Sequence, residues 1–162
     1  MTESSLNKHP LAEQLATLQF TAGLPDGVRD ALAETATERC FAVGEYLCRE
    51  GESTPELFLI ANGHVGLDML VPGRGQVRVL TLGPGEVLAW SAVVGNHGST
   101  ATGVATSDVR TIVFPDDALL NLCQTNRDVG YLVMRELAKA ISRRLVATRL
   151  QLLDLFEEQS PS

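Results

Sequence analysis

The sequence has no apolar run approaching the roughly 20 residues that a membrane-spanning helix needs. Its N-terminus also lacks the succession of charge, apolar core and small residues that marks a secretory signal. A cytoplasmic location without membrane association is therefore the expectation. Basic residues are in short supply: 13 Lys and Arg stand against 20 Asp and Glu, for a net charge of −7. Even the least acidic part, 128–162, holds only five of each sign. A DNA-binding surface normally carries a basic stripe, so no direct DNA binding is expected. Three cysteines (Cys40, Cys48, Cys123) and three histidines (His9, His64, His97) are scattered, without CxxC, HxH or HExxH spacing. No metal site follows from them, and the cysteines read as small reduced hydrophobes.

What is present fits one globular domain. Apolar residues make up 44% and charged residues 20% of 162 positions, enough for one substantial core. Residues 1–10 are polar and read as a flexible tail, and 11–162 as a single domain. Within it, 11–36 is helical in character. Leu11, Leu15 and Leu18 recur at helical spacing, and Pro25-Asp26-Gly27 interrupts before Val28, Leu32 and Ala36. From 41 to 114 the period changes to short Val-, Ile- and Leu-rich runs punctuated by Gly and Pro, the pattern of an antiparallel sandwich or barrel of roughly eight strands. Helix returns over 116–158, first as a short helix from Asp116 to Thr125 and then as a long one. Along the long helix Met134, Leu137, Ile141, Leu145, Thr148, Leu152 and Leu155 form an a/d heptad stripe, and Val146, Leu150, Leu153 and Phe156 form a second apolar face. One face is expected to meet the domain's own sheets and the other a partner chain, giving a parallel homodimer. The stripe Met134, Leu137, Ile141, Leu145, Leu152 and Leu155 is the first candidate for the seam.

Four stretches carry a resemblance: AVGEYLCREGE (42–52), LFLIANGHVGL (57–67), LGPGEVLA (82–89) and VFPDDALLNL (113–122). In this order they are similar to the effector domain of catabolite activator and Fnr-type regulators, shared with cyclic-nucleotide-gated channels and the regulatory domains of protein kinase A. The resemblance implies a mainly β fold, a double-stranded β-helix or jelly-roll β-roll with flanking helices and a long C-terminal helix. It also implies a phosphate-binding cassette after LGPGEVLA. In cyclic-nucleotide-binding members that cassette reads F-G-E-L-A-L and then R-[S/T]-A. The Glu takes the ribose hydroxyl, and the Arg pairs with the cyclic phosphate. Laid over this chain, the Glu falls at or beside Trp90 and R-[S/T]-A on Ser99-Thr100-Ala101, so neither charged group is present. Each lost charge-assisted partner costs about 2–5 kcal/mol, which predicts weak or absent binding of cAMP and cGMP.

The candidate ligand residues are Gly85, Ala89, Trp90, Ser91, Ser99, Thr100 and Thr148. Trp90, the only tryptophan, either stacks on a ligand or plugs the site. Thr148 falls where the family's adenine-contacting Thr stands, or is a polar interruption of a helix seam. His97 offers an anion or haem contact, against the commoner fate of a solvent-exposed loop histidine. No cofactor and no haem are expected, while a nucleotide-like or other anionic small molecule is allowed. Cupin-type catalysis would need a cluster of histidines with a carboxylate, which is missing, so no enzymatic activity is expected. Two functions stay open: a sensor for a ligand other than cAMP or cGMP, and a ligand-free scaffold module with a plugged pocket. The sequence stops at Ser162, just where a helix-turn-helix would follow in the regulators it resembles, so output is expected to run through a partner protein.

Overall fold

The computed structural model describes residues 10–95 and 98–158. The proposed tail therefore lies outside the described residues except for Pro10, which begins a helix. Three short helices open the chain: α1 (Pro10–Leu15), α2 (Gln19–Ala22) and α3 (Asp26–Thr35). The expected interruption falls at 23–25, between α2 and α3, while Asp26 and Gly27 already belong to α3. Pro25 caps α3, whose first turn holds Asp26, consistent with the preference of that end for negative charge.

Eight strands follow: β1 (Thr37–Phe41), β2 (Tyr46–Cys48), β3 (Glu56–Asn62), β4 (Val65–Val71), β5 (Gly75–Leu82), β6 (Val87–Leu88), β7 (Thr102–Ala105) and β8 (Val109–Pro115). They form two antiparallel four-stranded sheets, ordered β1-β8-β3-β6 and β2-β7-β4-β5. The fold is thus the mainly β roll with flanking helices that the sequence predicts. A single turn α4 (Ser91–Val94) leaves the roll after β6, and α5 (Asp116–Thr125) and α6 (Arg127–Glu158) complete the chain.

The run Leu57-Phe58-Leu59-Ile60 is apolar throughout because β3 is covered on both faces. Phe58 and Ile60 join Val65, Leu82 and Val113 between the sheets. Leu57 and Leu59 join Ile112, Phe114 and the helices on the other side. This is the period of two expected of a strand, with neither face wet. Gly63 closes the β3–β4 turn at φ +88°, and a Cβ there would lie 2.1 Å from the Asp108 carbonyl oxygen. Only glycine fits both the dihedral and the space.

Helix α6 spans 32 residues, about 48 Å at 1.5 Å per residue. Its inward stripe is Val129, Val133, Leu137, Ala140 and Arg144. This corrects the seam assignment of Leu137, which is 2% exposed within the domain's own core and so is not free for a partner. Met134 and Ile141 are half-buried and pack against the same core. Beyond them the helix carries exposed apolar side chains on more than one side, among them Leu145, Val146, Leu152, Leu153 and Phe156. The two faces read from the sequence are therefore rotated by one residue over the first turns of α6. Val133 and Ala140, smaller than Met134 and Ile141, make the closer contact with the roll.

Candidate functional site

The loop between β5 and β6 fixes where the site begins. The Gly85 amide donates to the Ile60 carbonyl at 2.8 Å, and the Phe20 amide donates to the Gly85 carbonyl at 3.3 Å. Gly85 has φ +89°, and a Cβ on it would come within 2.9 Å of the Gln19 backbone nitrogen. Gly85 therefore seats α2 against the roll. It lines neither of the cavities described next. Ala89 follows at φ +66°, the one non-glycine residue with positive φ among the described residues. That conformation costs an L-residue about 1–2 kcal/mol. It turns the chain so that Trp90 stands at the start of α4, half-buried against the core.

Trp90 meets a residue that the sequence analysis did not single out. The Arg144 guanidinium carbon lies 4.9 Å from the indole centroid, within cation–π range. Its Nη2 donates to the Val87 carbonyl at 2.6 Å. Arg144 is 9% exposed and joins no salt bridge among the described residues. Burial pulls its pKa below the ordinary guanidinium value; Glu86 opposes this and Arg143 adds to it. An arginine nevertheless keeps its charge in a protein. A signal for Arg144 existed in the sequence: Ile141, Arg144 and Thr148 are spaced three and four apart, which puts them on one helix face.

The Trp90–Arg144 pair forms a common wall of two cavities. On the cassette side Ala89, Ser91, Ser99 and Thr100 bound a chamber of about 20 Å³. A single water needs about 10–15 Å³ of such space, so the chamber has no room for a ribose cyclic phosphate while the pair stays in place. On the α6 side Leu67, Val79, Ile141 and Thr148 line a groove of about 220 Å³ with almost wholly apolar walls. Trp90 thus borders the small chamber on one side and walls the groove on the other.

The remaining candidate residues divide between structure and site. The Ser99 hydroxyl lies 3.2 Å from that of Thr54, and both residues are largely withdrawn from solvent. Ser91 is buried in α4. Thr100 is exposed and borders both cavities. Thr148 Oγ1 donates to the Arg144 carbonyl at 2.8 Å, so its hydrogen is used within the helix and only its lone pairs remain for a ligand. Cys48 borders the chamber as well. Burial raises its thiol pKa, opposed by hydrogen bonds from Gly103 and Ser99. It is held as a thiol rather than as a nucleophilic thiolate. His97 lies outside the described residues. Among the described residues no group of three or more His, Cys, Asp or Glu could hold a metal, and no helix is long and apolar enough to cross a membrane.

Comparison with known proteins agrees with this architecture. The curated Glutaminase 2 of Bradyrhizobium diazoefficiens is 26% identical over 117 residues, covering 72% of this chain and 18% of that protein. A cyclic nucleotide-binding domain from Methylobacillus flagellatus superposes with a TM-score of 0.77 at 18% identity, covering 94% of this chain and 84% of that one. The catabolite activator protein of Thermus thermophilus does so with a TM-score of 0.69 at 25% identity, covering 86% of this chain and 63% of that one. The family model described as the cyclic nucleotide-binding domain matches residues 38–126, more than half of the chain. With that match, the two-sheet roll and the loop geometry after β6, this chain belongs to the cyclic nucleotide-binding domain family.

Proposed function

We propose that this is a non-catalytic regulatory domain that senses a small molecule other than cAMP or cGMP and transmits its binding through α6. The observation that carries the proposal is the Trp90–Arg144 pair. It leaves a chamber of about 20 Å³ in the cassette while a groove of about 220 Å³ stands open beside α6. No Asp, Glu, Lys or Arg occurs between Val87 and Thr106, so the cassette has no side chain to balance a cyclic phosphate. The groove, in contrast, is walled in part by α6 itself, so an occupant bears directly on the helix.

The exposed apolar residues of α6 give the domain its means of output. Leu145, Leu152 and Phe156 are 56%, 48% and 69% exposed, an apolar stretch of the kind that marks an interaction surface. A parallel homodimer along 145–156 is the proposed assembly, with a partner protein as the downstream target. The match to the cyclic nucleotide-binding domain model over residues 38–126 supports a regulatory rather than a catalytic role.

A second reading is a ligand-free interaction module, favoured by the closure of the cassette. Native mass spectrometry of freshly purified protein separates the two. The sensor reading expects a bound small molecule on the dimer, or one taken up from a cell extract. A dimer that carries no added mass in either condition supports the module.

A further inference from the structure

We infer that the groove beside α6 is a binding site for a small carboxylate with an apolar body, its charged end paired with Arg144 and its body lying along Leu67, Val79, Ile141 and Trp90. The inference rests on the sensor reading and names the ligand class of that site. Four observations converge on it.

Arg144 is a buried cation that forms no direct ion pair among the described residues, Glu86 acting on it only at longer range. Of its guanidinium N–H groups, one is accounted for by the Val87 carbonyl, and the face of the ion rests on the indole of Trp90. A buried charge without a counterion is costly, and an incoming carboxylate offers the bidentate geometry that a guanidinium matches best.

Of the two larger concavities that Arg144 borders, the groove is the one that holds no other charged side chain. Glu86, the acidic group that acts on Arg144, lines the other concavity together with Arg143 and Arg144 itself, and it does not line the groove. Arg144 is the only charged residue among those lining the groove. A monoanion is therefore balanced by one cation, whereas a phosphate dianion would be left half-neutralised.

The groove's other polar groups are two hydroxyls. Thr148 has spent its hydrogen on the Arg144 carbonyl, and Thr100 has none of the described residues as a hydrogen-bond partner, so it is free to donate to the second carboxylate oxygen. The rest of the wall is aliphatic or aromatic, which rewards an apolar body and rejects a polar one.

Size fits as well. A groove of about 220 Å³ has room for a short alkyl or single-ring acid. Engaging Arg144 also draws on α6 one residue before Leu145, the first exposed residue of the apolar strip.

Trp90 is the only tryptophan, so its fluorescence reports the site directly. The full chain is titrated at neutral pH with 3-phenylpropanoate and with heptanoate, each paired with its primary amide. Both acids are expected to shift the Trp90 emission saturably, and each amide to bind about 10- to 100-fold more weakly. Arg144→Met should abolish the preference for acid over amide, and Arg144→Lys should restore part of it. If one acid alone binds, the body is aryl or alkyl accordingly and the inference stands. Amides binding as tightly as acids, or an acid preference that survives in Arg144→Met, would overturn it while leaving a sensor of neutral ligands. Failure of both acids to move the emission at millimolar concentration overturns it too. The sensor reading falls with it only if native mass spectrometry also finds no bound molecule. Should Arg144→Met fail to fold, the comparison of acid with amide on the wild type still decides.

Discussion

Substituting two leucines on α6, eight residues apart, separates what that helix does for its own domain from what it does for an assembly. Leu137 is 2% exposed and Leu145 is 56% exposed. Leu137→Ala leaves a cavity in the core shared by Val133, Ile112 and Leu119, which costs about 2–5 kcal/mol. For a chain of this length that lowers Tm by about 4–20 °C. Leu145→Glu removes no core contact and should leave Tm within about 2 °C, since surface changes stay within about 0.5 kcal/mol. In a parallel dimer its effect falls on association. Full burial of a leucine contributes about 1.5–3 kcal/mol, and half of that remains available at Leu145, so two symmetric copies lose about 2 kcal/mol. That raises the dimer Kd by about 30-fold, before the repulsion of two carboxylates brought together at the seam. Light scattering across a dilution series gives the mass, and thermal melts give Tm. A wild type that is monomeric at micromolar concentration refutes the seam. A Leu145→Glu variant that stays dimeric moves it to the face of Val146, Leu150 and Leu153.

Two further outcomes follow from the site. Ala89→Gly relieves the φ +66° strain at a place where glycine is at ease, and should raise Tm by about 2–4 °C. A fall in Tm would mean that the Ala89 methyl contributes more by packing than the strain costs. In thiol titration of the native protein, exposed Cys40 should react first, while Cys48 and Cys123, both with pKa raised by burial, should react fully only after denaturation. Fast modification of Cys48 would show that the chamber opens readily.

Much of the fold was legible because its elements announce themselves by period. The apolar runs of β3 and β8 are bounded by glycines and Pro115, and α5 begins and ends at the residues where the helical pattern does. The long helix was legible as a helix but not in its orientation. Val129, Val133 and Ala140 are as apolar as Met134 and Ile141, so periodicity alone does not say which row faces the roll. The loss of the cassette charges was readable from Trp90 and Ser99. The pairing of Trp90 with Arg144 was not, because 53 residues, including β7, β8 and α5, lie between them in the chain. Gly85 looked like a ligand residue because the resemblance puts a glycine beside the ligand loop. Its carbonyl and its dihedral serve the α2 contact.

The central claim is that the Trp90–Arg144 pair has replaced the cyclic-nucleotide site with a different one. Isothermal titration of the full chain with cAMP and with cGMP tests it most directly. With the cassette Arg and Glu positions occupied by Ser99 and Trp90, and a chamber of about 20 Å³ between them, no saturable heat is expected from either nucleotide up to about 100 µM. A Kd near or below about 1 µM, which is about −8 kcal/mol, would contradict the account. It would mean that the pair swings aside and that backbone amides alone hold the phosphate.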